Sequence, residues 1–228
     1  MKRFLLAFVT TILVSTNIQA QSSDHAVYKN SLWQNWYVQA GLDMALQNPN
    51  GYPFFKEVFP NGKTFGIDVA AGKWFTPEIG LRVKLNWENG IGLFRNNHAN
   101  WLAPMNEPGV NLHRGGYIYF VGDIQLDIHN LIWGYKADRL WNLQIFPRAG
   151  VGYNFGSKKG TPIVAIGLGN TFRINEKYKI YFDIAYHGVS SGFIPVPTDT
   201  GSEFNAFMDI NVGLQINLGT STFRKASK

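Results

Sequence analysis

Between Trp36 and Leu218, apolar and polar residues alternate one by one over eight segments of the chain. A period of two is typical of β-strands with one apolar and one polar face, because successive side chains point to opposite sides. In the clearest segment, IGLRVKLNWE at 79–88, every odd position is apolar and every even position is polar or glycine. The predicted strands cover 36–46, 64–75, 79–88, 118–129, 141–155, 164–174, 178–187 and 204–218.

The connections between these strands vary in length in a regular way. The connections 47–63, 89–116 and 187–203 are long, 130–140 is intermediate, 156–162 is modest, and 76–78 and 175–177 are tight turns. Nine of the ten prolines fall between the predicted strands, where they interrupt no ladder. The exception is Pro147, where we expect a bulge or a local break. This rhythm predicts an all-β fold, a single eight-stranded antiparallel up-and-down transmembrane β-barrel over residues 35–218.

A soluble eight-stranded barrel of the lipocalin kind also alternates, but its apolar face points inward. The polar face of this chain suits a narrow interior better than a water-exposed surface, because it is rich in Gly, Asn, Gln and Asp. Buried charges must be paired and hydrogen-bonded, and the charges on this face almost balance. The acidic residues are Asp43, Asp68, Glu88, Asp123, Asp127, Asp183 and Asp209, and the basic ones are Arg82, Lys84, Arg148, Arg173 and Lys179.

Aromatic residues lie at both ends of the apolar face. Trp36, Trp141 and Tyr178 begin strands, and Trp87, Tyr153 and Tyr186 lie toward the opposite rim. Two aromatic girdles are expected where a membrane barrel crosses the two interfaces. The apolar faces also match the roughly 9–11 residues with which a tilted strand crosses a bilayer. Together these features favour the membrane barrel over the soluble one.

Composition is consistent with a lipid-facing surface. Aromatic residues make up 15% of the chain and charged residues 16%, below the usual quarter. The chain has no cysteine, which excludes disulfides and thiolate metal sites. The formal net charge of +6 falls to +4 without Lys2 and Arg3, and part of the remainder lies in the last five residues. We therefore predict that nucleic acid is not a partner.

The beginning of the chain has the pattern of an export signal. A short positive start is followed by the apolar run FLLAFVTTILV at 4–14 and by STNIQA at 15–20. Because a membrane span takes about 20 apolar residues, this run is too short for an anchor. We predict a cleaved signal peptide at 1–20, an N-terminal periplasmic segment at 21–34 and a C-terminal polar tail at 219–228.

Three stretches carry a resemblance to a known family. GIDVAAGKWFTPEIGLRVKLNW at 66–87, RAGVGYNFG at 148–156 and the closing strand resemble the OmpA-type outer-membrane barrel domain, over about residues 35–218. The resemblance implies a bacterial outer-membrane location. The closing strand also resembles the signal read by the barrel-assembly machinery, through Asn211, Gly213, Ile216 and Leu218. It departs from that signal because Leu218, rather than Phe or Trp, ends the motif and a polar tail follows.

Catalytic residues, cofactors and metals are not predicted. His98 and His113 in the second loop, and His187 with Ser190 and Ser191 near the fourth, lack any spacing that links them as a His–Ser–acid set. Asp123, Gln125 and Asp127 are expected to bridge Arg and Lys from facing strands rather than bind a metal. An eight-stranded lumen is narrow enough for side chains to fill, so we expect a plugged interior.

The predicted partners are outer-membrane lipid, the barrel-assembly machinery and an extracellular ligand bound through loops 47–63 and 89–116. Exposed apolar residues in loops can mark interaction sites, and the alternative is that they pack over the barrel mouth. They are Tyr52, Phe54, Phe55, Phe59, Phe94, His98, Trp101, Leu102, Met105 and His113. The sequence thus predicts a structural or surface-interaction role. The alternatives are a narrow channel for small solutes and, less favoured, a lipid-modifying enzyme.

Overall fold

The computed structural model describes residues 28–29, 32–47, 63–95, 101–104, 110–156, 158–190, 193, 204–219 and 223–225. The strands are β1 (Tyr28–Lys29), β2 (Trp36–Gln47), β3 (Lys63–Trp74), β4 (Ile79–Arg95), β5 (Trp101–Pro104), β6 (Val110–Asp127), β7 (Trp141–Asn154), β8 (Lys159–Arg173), β9 (Tyr178–Ser190), β10 (Phe204–Leu218) and β11 (Arg224–Lys225). Helix α1 (Ile128–Trp133) follows β6. The predicted signal peptide lies outside the described residues.

Eight long strands form one closed antiparallel barrel. Each pairs with the next long strand along the chain, β4 pairs with β6, and β2 pairs with β10 to close the circle. Among the described residues, the short β5 pairs with β6 near the start of that strand, at Asn111 and His113. The predicted eight-stranded antiparallel barrel is therefore confirmed. β1 and β11 form a separate antiparallel pair of two residues each.

No helix among the described residues has the length and hydropathy needed to cross a membrane.

Several strand ends differ from the prediction. β4 and β6 remain paired from Ile79↔Leu126 to Arg95↔Val110, well beyond the expected ends at 88 and 118. Asn89, at a position of the apolar face, interrupts the alternation there, but it resumes at Ile91 and Leu93 and is also present at Val110 and Leu112. The predicted connection 156–162 is also wrong, because β8 already begins at Lys159.

The prolines are accommodated in two ways. Pro162 lies inside β8, where it is the register partner of Val151 on β7. The ladder between β8 and β9 starts only at Ile163, so the missing N–H of Pro162 interrupts no pair with β9. At Pro147 there is no bulge, since the β6–β7 register is the same on both sides of it. Instead, Ile124 and Gln125 of β6, which the register places opposite Pro147 and Phe146, are not paired with β7. This gap in the ladder is the local break that the proline predicts.

The far end of the fourth predicted strand is a helix rather than a strand. Asp127 ends β6, and its side chain accepts a hydrogen bond from the backbone N–H of Asn130 at 2.8 Å. This is the N-cap arrangement, which satisfies a donor that the first turn leaves open. Ile128 and His129, which were expected in the strand, therefore belong to α1.

Inward glycines make room for large inward rings. A Cβ at Gly72 would lie 2.3 Å from Cζ of Tyr37, and one at Gly167 would lie 2.3 Å from Cζ of Phe146. Only glycine allows this approach of ring to backbone. Each ring thus lies over the glycine that is its register partner on the neighbouring strand.

Candidate functional site: the outer belt and the barrel interior

The outward face of the barrel is apolar all the way round. Each of the eight long strands presents at least one exposed large apolar side chain to the outside, and near the middle of β2 and β8 Leu42 and Ile166 are 66% and 62% exposed. Water-facing sheet surfaces are normally polar, so these side chains need an apolar surrounding. We refer to this outward surface as the outer belt.

Aromatic side chains border the outer belt at both ends. We call the end with the connections 75–78, 128–140 and 174–177 the turn end, and the opposite end the loop end. Trp36 and Trp141 are exposed at the turn end, and Trp87, Tyr153 and Tyr186 toward the loop end. The predicted outward direction of these five rings is confirmed.

A polar residue on the belt has a specific partner. Asn170 breaks the apolar face of β8, and its Oδ1 accepts a hydrogen bond from the indole Nε1 of Trp141 at 2.9 Å. Trp141 and Asn170 sit on neighbouring strands, where Asn170 pairs with Leu143. The amide oxygen therefore has a donor within the protein, as an apolar surrounding requires.

The middle of the interior is a charged network. Arg82 Nε donates to Asp123 Oδ2 at 2.7 Å, and its Nη1 donates to Asp183 Oδ2 at 2.7 Å and to Gln39 Oε1 at 3.1 Å. Arg148 Nε donates to the other oxygen of Asp123 at 2.6 Å. Asp123 thus bridges two guanidinium groups, as the sequence predicted for an inward carboxylate.

Lys84 extends this network toward the loop end. Its Nζ lies 3.3 Å from Asp68 Oδ2 and donates to Asn211 Oδ1. The hydroxyl of Tyr181 donates to the same Asp68 oxygen at 2.6 Å. Arg82 and Lys84 are only 2% and 1% exposed, so both cations are removed from solvent and held by carboxylates.

His187 belongs to the interior and not to a loop. It is fully buried, its Nε2 lies 3.0 Å from Asp209 Oδ1, and its ring stacks on Phe207 with centroids 4.4 Å apart. Ser190 lies in the same strand on the opposite face, by strand alternation. No His–Ser pair is formed by these two residues, while His98, Ser191 and the side chain of His113 lie outside the described part of the chain.

A group of apolar side chains closes the interior toward the loop end. Tyr117 packs edge-on against Phe193 and Phe207, with ring centroids 5.5 and 5.7 Å apart. The buried residues of this group, which we call the aromatic plug, are Ala45, Tyr117, Tyr119, Val121, Ile163, Val189, Phe193 and Phe207. The plug lies between the charged network and the loop end.

Acidic side chains next to the plug accept hydrogen bonds from neutral donors. Asp43 accepts hydrogen bonds from Asn211 Nδ2 at 2.7 Å, from the Tyr119 hydroxyl at 3.2 Å and from Asn86 Nδ2. Glu88 Oε2 accepts from Thr64 Oγ1 at 3.1 Å. Among the described residues, no group of three or more His, Asp or Glu side chains is placed to hold a metal ion.

At the turn end the predicted bridges do not form. Asp127 caps α1 and accepts from Asn142 Nδ2 rather than from Arg or Lys. Gln125 accepts from the hydroxyl of Tyr37 and donates through Nε2 to Gln144. Polar residues and cations line a cavity of about 190 Å³ at this end. The expectation that inward acids pair with inward cations thus holds for Asp123 but not for Asp127.

Among the comparisons with known proteins, the one with solved structures supports the barrel fold. No protein family model and no curated protein matches the sequence. The solved structure of Neisserial surface protein A is similar, with a TM-score of 0.52 at 11% identity, covering 81% of this chain and 98% of that one. At this identity the likeness shows the fold alone.

Two further outer-membrane barrel structures are less similar. They are Ail, the attachment invasion locus protein of Yersinia pestis (TM-score 0.46, 11% identity, covering 81% of this chain and 99% of that one), and OprG from Pseudomonas aeruginosa (TM-score 0.47, 7% identity, covering 81% and 96%).

The inward aromatic side chains were missed by the sequence reasoning. Tyr37, Tyr119, Tyr181 and Phe146 are all buried in the interior. Each occupies a position whose parity places it on the polar face of its strand, so the signal was present in the sequence. The parity that predicts the inward charges therefore also places these four rings inside.

Proposed function

We propose that this protein is an integral β-barrel of the bacterial outer membrane, of the OmpA type, with a closed interior. Its role would be structural or one of surface interaction through loops 47–63 and 89–116, and it would not be catalytic. The observation that carries the proposal is the inverted polarity of the barrel, with an apolar outer belt around a buried charged interior. A soluble barrel requires the opposite arrangement.

The outer belt supports membrane insertion on energetic grounds. Exposed apolar patches on soluble monomers rarely exceed a few hundred Å², whereas here exposed apolar side chains occur on all eight long strands. Transfer of apolar surface out of water contributes roughly 25 cal/mol per Å². The aromatic rings at both ends of the belt are placed as interface residues are in membrane barrels.

The closed interior supports a structural role over a channel. Side chains that line an open aqueous pore are reachable by water, but Asp123, Arg148, Asp183 and Asp209 are at most 4% exposed. The aromatic plug adds an apolar layer toward the loop end. A narrow channel is the second candidate, and it would require both layers to open.

Two measurements test the proposal. The mature protein should co-fractionate with outer membranes and migrate faster on a gel unboiled than boiled, because a folded barrel stays compact in detergent. Recovery in the soluble periplasmic fraction without detergent would contradict the membrane assignment. In planar bilayers the refolded protein should give no large steady conductance, and such a conductance would favour the channel.

A further inference from the structure

Two cations at the turn end stand directly opposite each other. Arg173 at the end of β8 is the register partner of Lys179 near the start of β9, and both line the turn-end cavity. Opposed residues on neighbouring strands have their Cβ atoms about 4.5–5.5 Å apart, and like charges in this position repel. The barrel therefore holds an unfavourable pair of charges at this point.

Neither cation has a carboxylate at ion-pair distance among the residues that the structure describes. The ion pairs of the interior engage Arg82, Lys84 and Arg148 as cations, while Arg173 and Lys179 have no carboxylate within 4 Å and no side-chain hydrogen bond among the described residues. This contrasts with the middle of the barrel, where every guanidinium has at least one carboxylate partner. Arg173 and Lys179 therefore differ from the cations in the middle of the barrel, because they lack a carboxylate partner in the described part of the chain.

One acidic residue of the cavity wall, Asp127, has other hydrogen-bond partners. Asp127 accepts from the backbone of Asn130 and from Asn142. Asp138 and Glu176 also line the cavity, but both are exposed to solvent. The inner wall at Arg173 and Lys179 thus keeps a net positive character.

Further donors surround the same space. Gln144 lines the cavity, and while its Oε1 accepts from Gln125 at 3.1 Å, its Nε2 has no hydrogen-bond acceptor among the described residues. Arg139 also lines the cavity, and it donates to Asn130 Oδ1 at 2.8 Å and to the carbonyl of Gly134 at 2.7 Å. The cavity of about 190 Å³ is several times larger than one water molecule needs.

We propose that the turn-end cavity is a binding site for a small oxyanion of the phosphate class, held between Arg173 and Lys179. A guanidinium offers a planar fork of donors that matches two oxygens of such an anion, and the ammonium adds a point charge. The bound anion removes the repulsion between the two cations. The phosphate group can come from free phosphate or from a lipid headgroup. Binding itself does not depend on the proposed membrane function, which determines only that the site faces the periplasm.

The test uses full-length protein refolded in a non-ionic, phosphate-free detergent. Calorimetric titration with inorganic phosphate should give saturable binding, and phosphate should raise the urea midpoint of unfolding by linkage. Arg173→Gln and Lys179→Gln should each weaken binding about tenfold or more, since each removes a charge-assisted contact. Lys179→Arg should retain binding, and Asp127→Asn should strengthen it.

A matched control separates the site from general charge effects. Lys159→Gln removes an exposed cation at the loop end and should leave phosphate affinity unchanged. Without phosphate, Lys179→Gln should be at least as stable as the wild type because the repulsion is relieved, whereas a purely structural lysine would show a loss. Gel mobility before boiling reports whether each variant has folded.

The two phosphate sources are distinguished by repeating the experiment with phosphatidylglycerol added to the micelles and following the ³¹P signals. A shift of the inorganic phosphate signal identifies the free anion, and a shift confined to the lipid signal identifies the headgroup; either supports the site. The proposal is overturned if neither signal responds to the Arg173→Gln/Lys179→Gln double substitution. It is equally overturned if Lys159→Gln weakens binding as much as Lys179→Gln does.

Discussion

Removal of the Arg82 side chain should destabilise the barrel by leaving one carboxylate nearly unpaired. Arg82 donates to Asp123 and Asp183, each at 2.7 Å. In Arg82→Ala, Asp123 keeps Arg148 at 2.6 Å, whereas the remaining cation partner of Asp183 among the described residues is Lys84, at 3.8 Å. Breaking a buried ion pair from one side costs about 3–5 kcal/mol, and we expect a loss in this range.

The difference between the two carboxylates gives a sharper test. Arg82→Ala/Asp183→Asn removes the stranded charge and should recover about 2 kcal/mol or more of the lost stability. Arg82→Ala/Asp123→Asn should recover less, because it leaves Asp183 stranded and also deprives Arg148 of its nearest carboxylate. The order of the two double variants therefore follows from the distances.

The assay is urea unfolding of the refolded protein in detergent, followed by tryptophan fluorescence, with Lys159→Ala as an exposed-charge control. Surface substitutions usually change stability by less than about 0.5 kcal/mol. If Arg82→Ala stays within that limit, the network does not hold the interior together. The single variant should also show no large conductance, because the aromatic plug is intact in it.

Three further predictions concern the belt, the interior packing and the topology. Ile166→Lys places a charge on the lipid-facing side of β8 and should lower the unfolding free energy in lipid vesicles by about 2–4 kcal/mol; no loss would argue against a lipid-facing belt. Gly167→Ala should cost about 1–3 kcal/mol through overpacking against Phe146, and adding Phe146→Leu should restore part of it, in the same urea assay. An epitope tag near Asn106 should be labelled on intact cells and one within 175–177 should not; the reverse result would invert the barrel.

Strand faces could be predicted from the sequence, because membrane and lumen impose opposite polarities on alternate residues. This is why Trp87 and Arg82 were placed correctly on opposite faces of β4. The strand ends were harder to predict. Beyond Glu88 the backbone ladder with β6 continues to Arg95, although Asn89 places a polar residue on the apolar face and interrupts the alternation. Ile91 and Leu93 resume the apolar phase of β4, so one polar residue on the apolar face does not mark the end of a strand.

The interior partners were beyond the reach of the pattern. Arg82 meets Asp123 on the adjacent strand, which mid-strand positions suggested, but it also meets Asp183, 101 residues away on the other side of the lumen. That second contact depends on barrel closure and on the register of several ladders. Asp127 was misjudged for a related reason, since its role as a helix cap depends on where β6 stops.

The ladder between β2 and β10 has a consequence for how the chain can be cut and rejoined. Trp36 at the start of β2 is the register partner of Leu218 at the end of β10, so these two strand ends are neighbours in space. A short linker between them, with new termini opened in the 174–177 turn, would preserve all eight ladders of the barrel. As a folded object the barrel is thus nearly cyclic, and circular permutation should change the order in which its strands are synthesised without changing their neighbours.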